Sequence, residues 1–259
     1  MLPQLLSSSC PIRVRLWLVL TALAGIELLL GLAYVTTMLL GEIDPHPLVD
    51  LDREANLPTW FSSLQLAAIA ALLAFYGLKA FALMGVAVPI TLLGAGLFLL
   101  LSADEATQLH ERTTRSLRDV TWLPRVRNDR GIWVFVYLAA LVPLALLAGW
   151  AARILWLRAN RLWLLIAVSG CVLYGLSAAG IELFADQYLR ARVELEHAYR
   201  ASVLAEELLE MFGASLIFVG LAGAIFDSPP PRTRVSVWPA GESETPVVAL
   251  TSTAVTKRD

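Results

Sequence analysis

Long uninterrupted runs of apolar residues constrain the fold of this chain more than any other feature. A helix needs roughly 20 apolar residues to cross the ~30 Å hydrocarbon layer of a bilayer. Six runs reach that length, at about residues 14–40, 60–78, 80–102, 131–152, 162–187 and 203–226. They do not alternate polar and apolar positions, as the strands of a membrane barrel would. With 58% hydrophobic and only 16% charged residues, the chain also has too little charge to cover a soluble domain. The sequence predicts an all-α, polytopic membrane helical bundle with about six transmembrane helices.

The same pattern predicts the domain boundaries and the orientation. We expect a short cytoplasmic N-terminal segment (1–13), a six-helix transmembrane domain with acidic and histidine-containing outer loops (14–226), and a disordered tail (227–259) rich in Pro, Ser and Thr. Lys and Arg divide equally between the two faces, but Arg13 and Arg15 precede the first span and an acidic stretch follows it. This charge bias places both termini in the cytoplasm. We expect the bacterial cytoplasmic (inner) membrane.

The three histidines fall in three different hydrophilic segments, which a serpentine threading brings to one membrane face. They are His46 after the first span, His110 after the third and His197 before the last. Seventeen of the 22 acidic residues lie on that same face. Carboxylate oxygens suit hard divalent metals, and imidazole adds affinity for zinc and iron. A metal or proton site is therefore expected at this face.

The candidate metal ligands come from the outer ends of spans three, five and six. If the third helix continues through Arg118, Asp104, Gln108 and Glu111 share one face. Glu194 and His197 have the i, i+3 spacing of carboxylate-bridged di-iron helices, but the second such pair is missing. The predicted ligand pool is Asp104, Glu105, His110, Glu111, Glu182, His197, Glu207 and Glu210. The predicted cofactor is a divalent metal, with zinc, iron and manganese left open.

Glu27 is a separate candidate because it falls in the middle of an apolar run. Ionisable groups at that depth are costly and often mark a relay or binding site, and the alternative is a protonated glutamate hydrogen-bonded to a neighbouring helix. Small residues predict which helix faces point inward. The predicted inward face of the fifth span contains Cys171, Gly175 and Ala179, and that of the sixth contains Gly213, Ile217 and Gly220. The predicted inward face of the first span contains Ala24, Glu27, Gly31 and Tyr34.

Three segments carry a resemblance to a group of uncharacterised bacterial multi-pass membrane proteins. They are Leu51-Asp-Arg-Glu-Ala-Asn-Leu-Pro-Thr-Trp-Phe-Ser-Ser63, Leu101-Ser-Ala-Asp-Glu-x4-His-Glu111, and Glu206-Glu-x-x-Glu-Met-x-Gly213. The resemblance covers residues 14–226. It implies a membrane location and a polar face made of three parts, and it implies no substrate.

Three functions fit these features. The first is a metal-binding membrane protein, in which the ion would act on a lipid-phase substrate if the protein is an enzyme. The second is a proton- or ion-coupled transporter that uses Glu27 as a relay. The third is an assembly or scaffold protein whose polar face binds a protein partner. The lipid bilayer is the expected environment, and no nucleic-acid partner is expected.

Overall fold

The computed structural model describes the chain as helices joined by loops. The described residues are 11–40, 45–80, 87–124, 132–137, 139, 142, 161–190 and 192–227, and they contain no strand. All of them belong to one compact unit, Met1–Pro229. The predicted disordered tail lies outside the described residues except for Asp227, and so do residues 1–10 of the predicted N-terminal segment.

The helices follow the predicted apolar runs. In chain order they are α1 (Ile12–Leu40), α2 (Leu57–Ala80), α3 (Ala87–Thr107), α4 (Leu109–Ser116), α5 (Arg161–Gly175), a π-helical segment (Leu176–Ile181), α6 (Glu182–Tyr188), a 3-10 turn (Val193–Leu195) and α7 (Glu196–Phe226). Residues 132–137 are also helical. α5, the π-helical segment and α6 follow one another without interruption.

Four stretches are long and apolar enough to cross a membrane: Ile12–Leu40, Leu57–Leu78, Arg161–Ala185 and Val193–Phe226. A fifth is added if α3 and α4, which meet at a bend of 78°, form one broken span. The all-helical, multi-pass character predicted from the sequence is therefore confirmed. Four or five spans, rather than six, are found in the part of the chain that the structure describes. Most of the remaining predicted span, 131–152, lies outside that part.

α7 is the central helix and packs against α1, α2 and α5. Its contact with α5 depends on glycine, because the Gly213 and Gly220 backbones lie directly on α5, Gly213 against Gly170 and Gly220 against Ala167. The predicted inward face of α7 is thus confirmed. The predicted inward ladder on α5 is wrong: Cys171 is exposed, and open space surrounds the Cβ position of Gly175. Gly170, one residue earlier than the ladder, makes the close contact instead.

The first helix buries its predicted face, since Glu27, Gly31 and Tyr34 all lie inside. At the bundle end that contains the start of α1, Asp227 ties three helices together. Its carboxylate accepts hydrogen bonds from Arg13 at 2.6 Å and from the indole of Trp163 at 2.8 Å. The acidic loops lie at the opposite end of the bundle.

The predicted continuous helix through Arg118 is wrong. Gln108 adopts a left-handed conformation (φ 57°) that ends α3 and starts α4 in a new direction. The backbone N–H of His110, in the first turn of α4, donates instead to the Asp104 carboxylate at 2.7 Å. Asp104 and Glu111 therefore do not share one face of one helix. The bend keeps His110 folded back on the end of α3.

Candidate functional site

The loop before α2 is held by its own polar side chains. Asn56 accepts a hydrogen bond from the N–H of Thr59 at 3.2 Å, which caps the start of α2. Its amide group donates to the carbonyls of Asp50 at 2.6 Å and Arg53 at 2.8 Å. Ala55 takes a left-handed conformation (φ 61°) that turns the chain into the helix. This turn fixes the position of Glu54, its neighbour.

The loop is also joined to the start of α7. The Tyr199 hydroxyl donates to Asp52 at 2.6 Å, and Arg200 lies 3.4 Å from the other oxygen of the same carboxylate. Arg200 also donates to Glu196 at 2.8 Å. Burial raises the pKa of Asp50, which lies 3.9 Å from Arg200. These contacts bring the loop after α1 and the start of α7 to the same end of the bundle.

His110 lies between two carboxylates at that end. Its Nδ1 is 3.3 Å from Asp104 Oδ1, and its Nε2 is 3.9 Å from Glu54 Oε1. The ring of Trp133 meets the imidazole edge-on at 5.4 Å between centroids, so a residue of the 132–137 helix covers the site. One carboxylate therefore orients the ring, while the other nitrogen faces Glu54.

Glu54 is the loop's contribution to the site. Its side chain is only 24% exposed, and burial raises its pKa to about 7, although the nearby His110 acts in the opposite direction. One oxygen, Oε2, is buried without a hydrogen-bond partner among the described residues. A carboxyl in this position binds a proton or another cation more readily than an exposed one.

Further carboxyl groups, from α3, α6 and α7, lie within electrostatic range of Glu54 or His110 or of one another. Glu105 is hydrogen-bonded to Ser62 and lies within electrostatic range of Glu54, His110 and Asp104. Glu207 acts on Glu210, and both are acted on by Glu105 and Glu182. We define the carboxylate cluster as Glu54, Asp104, Glu105, Glu182, Glu207 and Glu210. His110 is its imidazole.

Two interhelical features hold the backbones of the carboxylate cluster in place. Ser63 and Ser102 exchange hydrogen bonds, each hydroxyl donating to the other's carbonyl at 2.9 and 2.8 Å, which locks α2 to α3. The π-helical turn precedes Glu182, and Ser177 within it donates to the Glu206 carbonyl of α7 at 2.7 Å. Such π-helical turns recur at functional sites.

Six of the eight predicted ligands lie within electrostatic range of one another or of Glu54. They are Asp104, Glu105, His110, Glu182, Glu207 and Glu210, and their role as metal ligands stays a prediction. The other two are exposed, although Glu111 lies within electrostatic range of Glu54. Glu111 is exposed and pairs with Arg115 at 3.3 Å, and His197 is exposed at the start of α7. His46 is also exposed, and its Nδ1 accepts a hydrogen bond from the N–H of Leu48 at 3.3 Å.

The side chains of the carboxylate cluster do not meet at a single point. Among the described residues, no three His, Cys, Asp or Glu side chains stand close enough together to hold a metal ion as they are placed. Its donor set is nevertheless that of a divalent-metal site, with several carboxylates and one imidazole.

Glu27 lies in a different place, on α1 between α2 and α7. Its Oε1 accepts hydrogen bonds from Gln65 at 2.9 Å and from Ser215 at 2.6 Å. Glu27 is 2% exposed and Ser215 is completely buried. The predicted relay residue is therefore fully enclosed by hydrogen-bonding partners from two other helices.

Comparison with protein families gives one match. The chain fits the family described as Domain of unknown function (DUF8692) over residues 16–223. It belongs to that family. The comparison with curated proteins found no match, and neither did the comparison with solved structures. The matched region extends from α1 into α7 and includes every residue of the carboxylate cluster and of the Glu27 contacts.

Sequence reasoning missed several residues of this DUF8692 site. Glu54 was not among the predicted ligands, although it lies in the first of the three segments that carried the resemblance. Gln65 and Ser215 gave no signal beyond being polar residues within apolar runs. That pattern is a usable signal, since polar side chains within a span usually face the protein interior.

Proposed function

We propose that this DUF8692 protein binds a divalent metal ion at the carboxylate cluster. One observation carries the proposal: His110 Nε2, the nitrogen that Asp104 leaves free, faces the Glu54 carboxylate at 3.9 Å. Glu105, Glu182 and Glu207, from three helices, lie within electrostatic range of His110 or Glu54. The strongest electrostatic neighbours of Glu207 and Glu210 are other carboxylates. Like charges that face each other in partly dry surroundings must be neutralised by protons or by a cation.

The orientation of His110 supports a metal more than a proton alone. Imidazoles that bind metals commonly hold a carboxylate or carbonyl on the nitrogen that does not bind the ion. Asp104 has this position at Nδ1, so Nε2 is the nitrogen that would bind. A mixed set of carboxylates and one imidazole suits zinc, iron and manganese.

Arg200, a basic residue at this end of the bundle, is already engaged in ion pairs. Arg200 pairs with Asp52 and Glu196, which places its charge on the loop and the start of α7.

In an enzyme of this kind the ion would activate a water molecule or bind an oxygen of a lipid-phase substrate. A carboxylate of the cluster that does not bind the ion would then act as general base.

Metal binding at this site should depend on pH. The ligand nitrogen must be deprotonated before it can bind, and the two carboxylates beside His110 favour its protonated form. Competition between the proton and the ion should therefore weaken binding as the pH falls.

Elemental analysis of the detergent-purified protein tests the proposal directly. We expect near-stoichiometric divalent metal in the wild type and a loss of metal in His110→Ala and in Glu210→Gln. The matched controls are His197→Ala and Glu111→Gln, which remove the same chemical groups at exposed positions and should keep the metal. Absence of metal from the wild type, after exposure to zinc, iron and manganese, would overturn the proposal. So would equal loss in the variants and their controls.

A further inference from the structure

A buried oxygen of Gln65 marks a second candidate site, made of residues that do not belong to the carboxylate cluster. Gln65 is 7% exposed, and its Oε1 is buried without a hydrogen-bond partner among the described residues. The amide nitrogen, by contrast, is surrounded by acceptors: Glu27 Oε1 at 2.9 Å, Ser215 Oγ at 2.8 Å and the Met211 carbonyl at 3.2 Å.

The Met211 carbonyl fixes which way the Gln65 amide points. A carbonyl can only accept, so the atom facing it must be the nitrogen. Rotating the amide by half a turn would place two acceptors against each other. Gln65 Oε1 therefore needs a donor from elsewhere, because buried polar atoms in folded proteins are almost always hydrogen-bonded.

Glu27 can supply that donor only if its carboxyl carries a proton. Among the described residues no basic side chain pairs with Glu27: α2 has no charged residue between Leu57 and Leu78, and the nearest basic residue before Glu27 on α1 is Arg15. On α7, the charged residues nearest to Ser215 in sequence are Glu210 and Asp227, both acidic. An unpaired carboxylate at the middle of a span is strongly disfavoured.

We infer that Glu27, Gln65 and Ser215 form a proton-binding site within the membrane, in which the Glu27 carboxyl holds the proton and donates it to Gln65 Oε1. The Gln65 amide donates to Glu27 Oε1 in return, which closes an acid–amide pair. Ser215 donates to the same Glu27 oxygen. Each polar side-chain atom of Glu27, Gln65 and Ser215 then has a hydrogen-bond partner, and these hydrogen bonds join α1, α2 and α7.

This arrangement distinguishes Glu27 from a simple structural carboxylate. An ionised Glu27 would leave Gln65 Oε1 without a donor. It would also place an unpaired negative charge in the middle of a span. Protonated Glu27 satisfies both atoms with no other residue. The inference does not rest on metal binding at the carboxylate cluster.

Infrared spectroscopy of the metal-free, detergent-purified protein at neutral pH tests the inference. The spectrum of the wild type minus that of Glu27→Gln should contain the C=O band of a protonated carboxylic acid. Glu27→Gln is suited to this test, because its amide can accept from Ser215 and Gln65 and donate to Gln65 Oε1. A difference spectrum that contains only ionised-carboxylate bands would overturn the inference.

Gln65→Leu tests the acceptor separately. It removes the oxygen that receives the proton, so the carboxylic-acid band of Glu27 should shift in frequency. A band that stays at the wild-type position would show that Gln65 is not the acceptor. Metal content of Glu27→Gln should equal that of the wild type, so failure of this inference and failure of the metal proposal can be told apart.

Discussion

Replacing Gly220 with alanine should force α5 and α7 apart. The added Cβ would collide with the backbone nitrogen of Ala167, and it would lie 2.8 Å from both the Ala167 Cα and the Trp163 carbonyl oxygen. Ordinary van der Waals contact begins at 3.4 Å, so the two helices would have to separate by at least about 0.6 Å. The neighbouring atoms belong to backbone and cannot rotate away as a flexible side chain would.

The cost follows from two opposing effects. Overpacking a tight contact costs ~1–3 kcal/mol, and rigid backbone neighbours place this case at the upper end. Alanine is favoured over glycine within a helix by about 1 kcal/mol. We expect a net loss of about 2 kcal/mol for Gly220→Ala.

Gly175→Ala is the matched control, because it makes the same chemical change on α5 where open space surrounds the Cβ position. It should gain about 1 kcal/mol from helix propensity alone. Unfolding by titration with SDS in mixed micelles would give both free energies of unfolding. A Gly220→Ala protein as stable as Gly175→Ala would refute the close contact between α5 and α7.

Two further predictions concern the polar end of the bundle. Asp104→Asn keeps an oxygen for the N–H of His110 but removes the charge beside Nδ1. The affinity for the metal, measured in competition with a chelator, should therefore fall about 10–100-fold. Unchanged affinity would show that Asp104 does not orient the imidazole. Glu54 has an ordinary pKa of 4.5 that burial raises to about 7, so the folded state keeps a proton that the unfolded state releases. Stability of the metal-free protein should therefore fall as the pH rises from 4.5 to about 7. Glu54→Gln should flatten that dependence, and an identical slope in the variant would contradict the pKa assignment.

The sequence predicted several of the candidate spans because length and hydropathy, on which membrane insertion depends, are local properties. The apolar runs at 14–40 and 162–187 correspond closely to Ile12–Leu40 and Arg161–Ala185. The last span begins earlier than predicted, at Val193, because polar residues that precede its apolar run also become helical. Hydropathy alone cannot separate a helix that crosses the membrane from one that extends beyond it.

Local breaks in the helices were not predictable from the same signals. Gln108 is not a residue that demands a left-handed conformation, and its break is stabilised by Asp104, which accepts the His110 N–H. The small-residue ladder through Cys171 and Gly175 missed the true contact at Gly170 by one position. Glycine shows that helices can approach closely, but tertiary packing decides which glycine does so.

The sequence predicted the candidate site only as a face shared by acidic residues and histidines at span ends, which topology alone implies, and metal binding there stays a prediction. Its composition depended on contacts that topology does not specify. Glu54 reaches His110 only because Asn56 and Ala55 shape the loop. Gln65 and Ser215 join Glu27 only because α2 and α7 both pack against α1 at that level.

Several irregularities of the described backbone occur at the same end of the bundle. Ala55 and Gln108 have left-handed conformations, and the π-helical turn Leu176–Ile181 leads directly into Glu182. Irregular backbone at membrane depth is tolerated where it is buried in protein or lines a polar cavity, since lipid offers no hydrogen bonds. A purely structural anchor could use regular helices, as the opposite end does with Asp227, Arg13 and Trp163. Each of these departures instead lies within two residues of Glu54, His110 or Glu182, as is expected where irregular backbone positions a site.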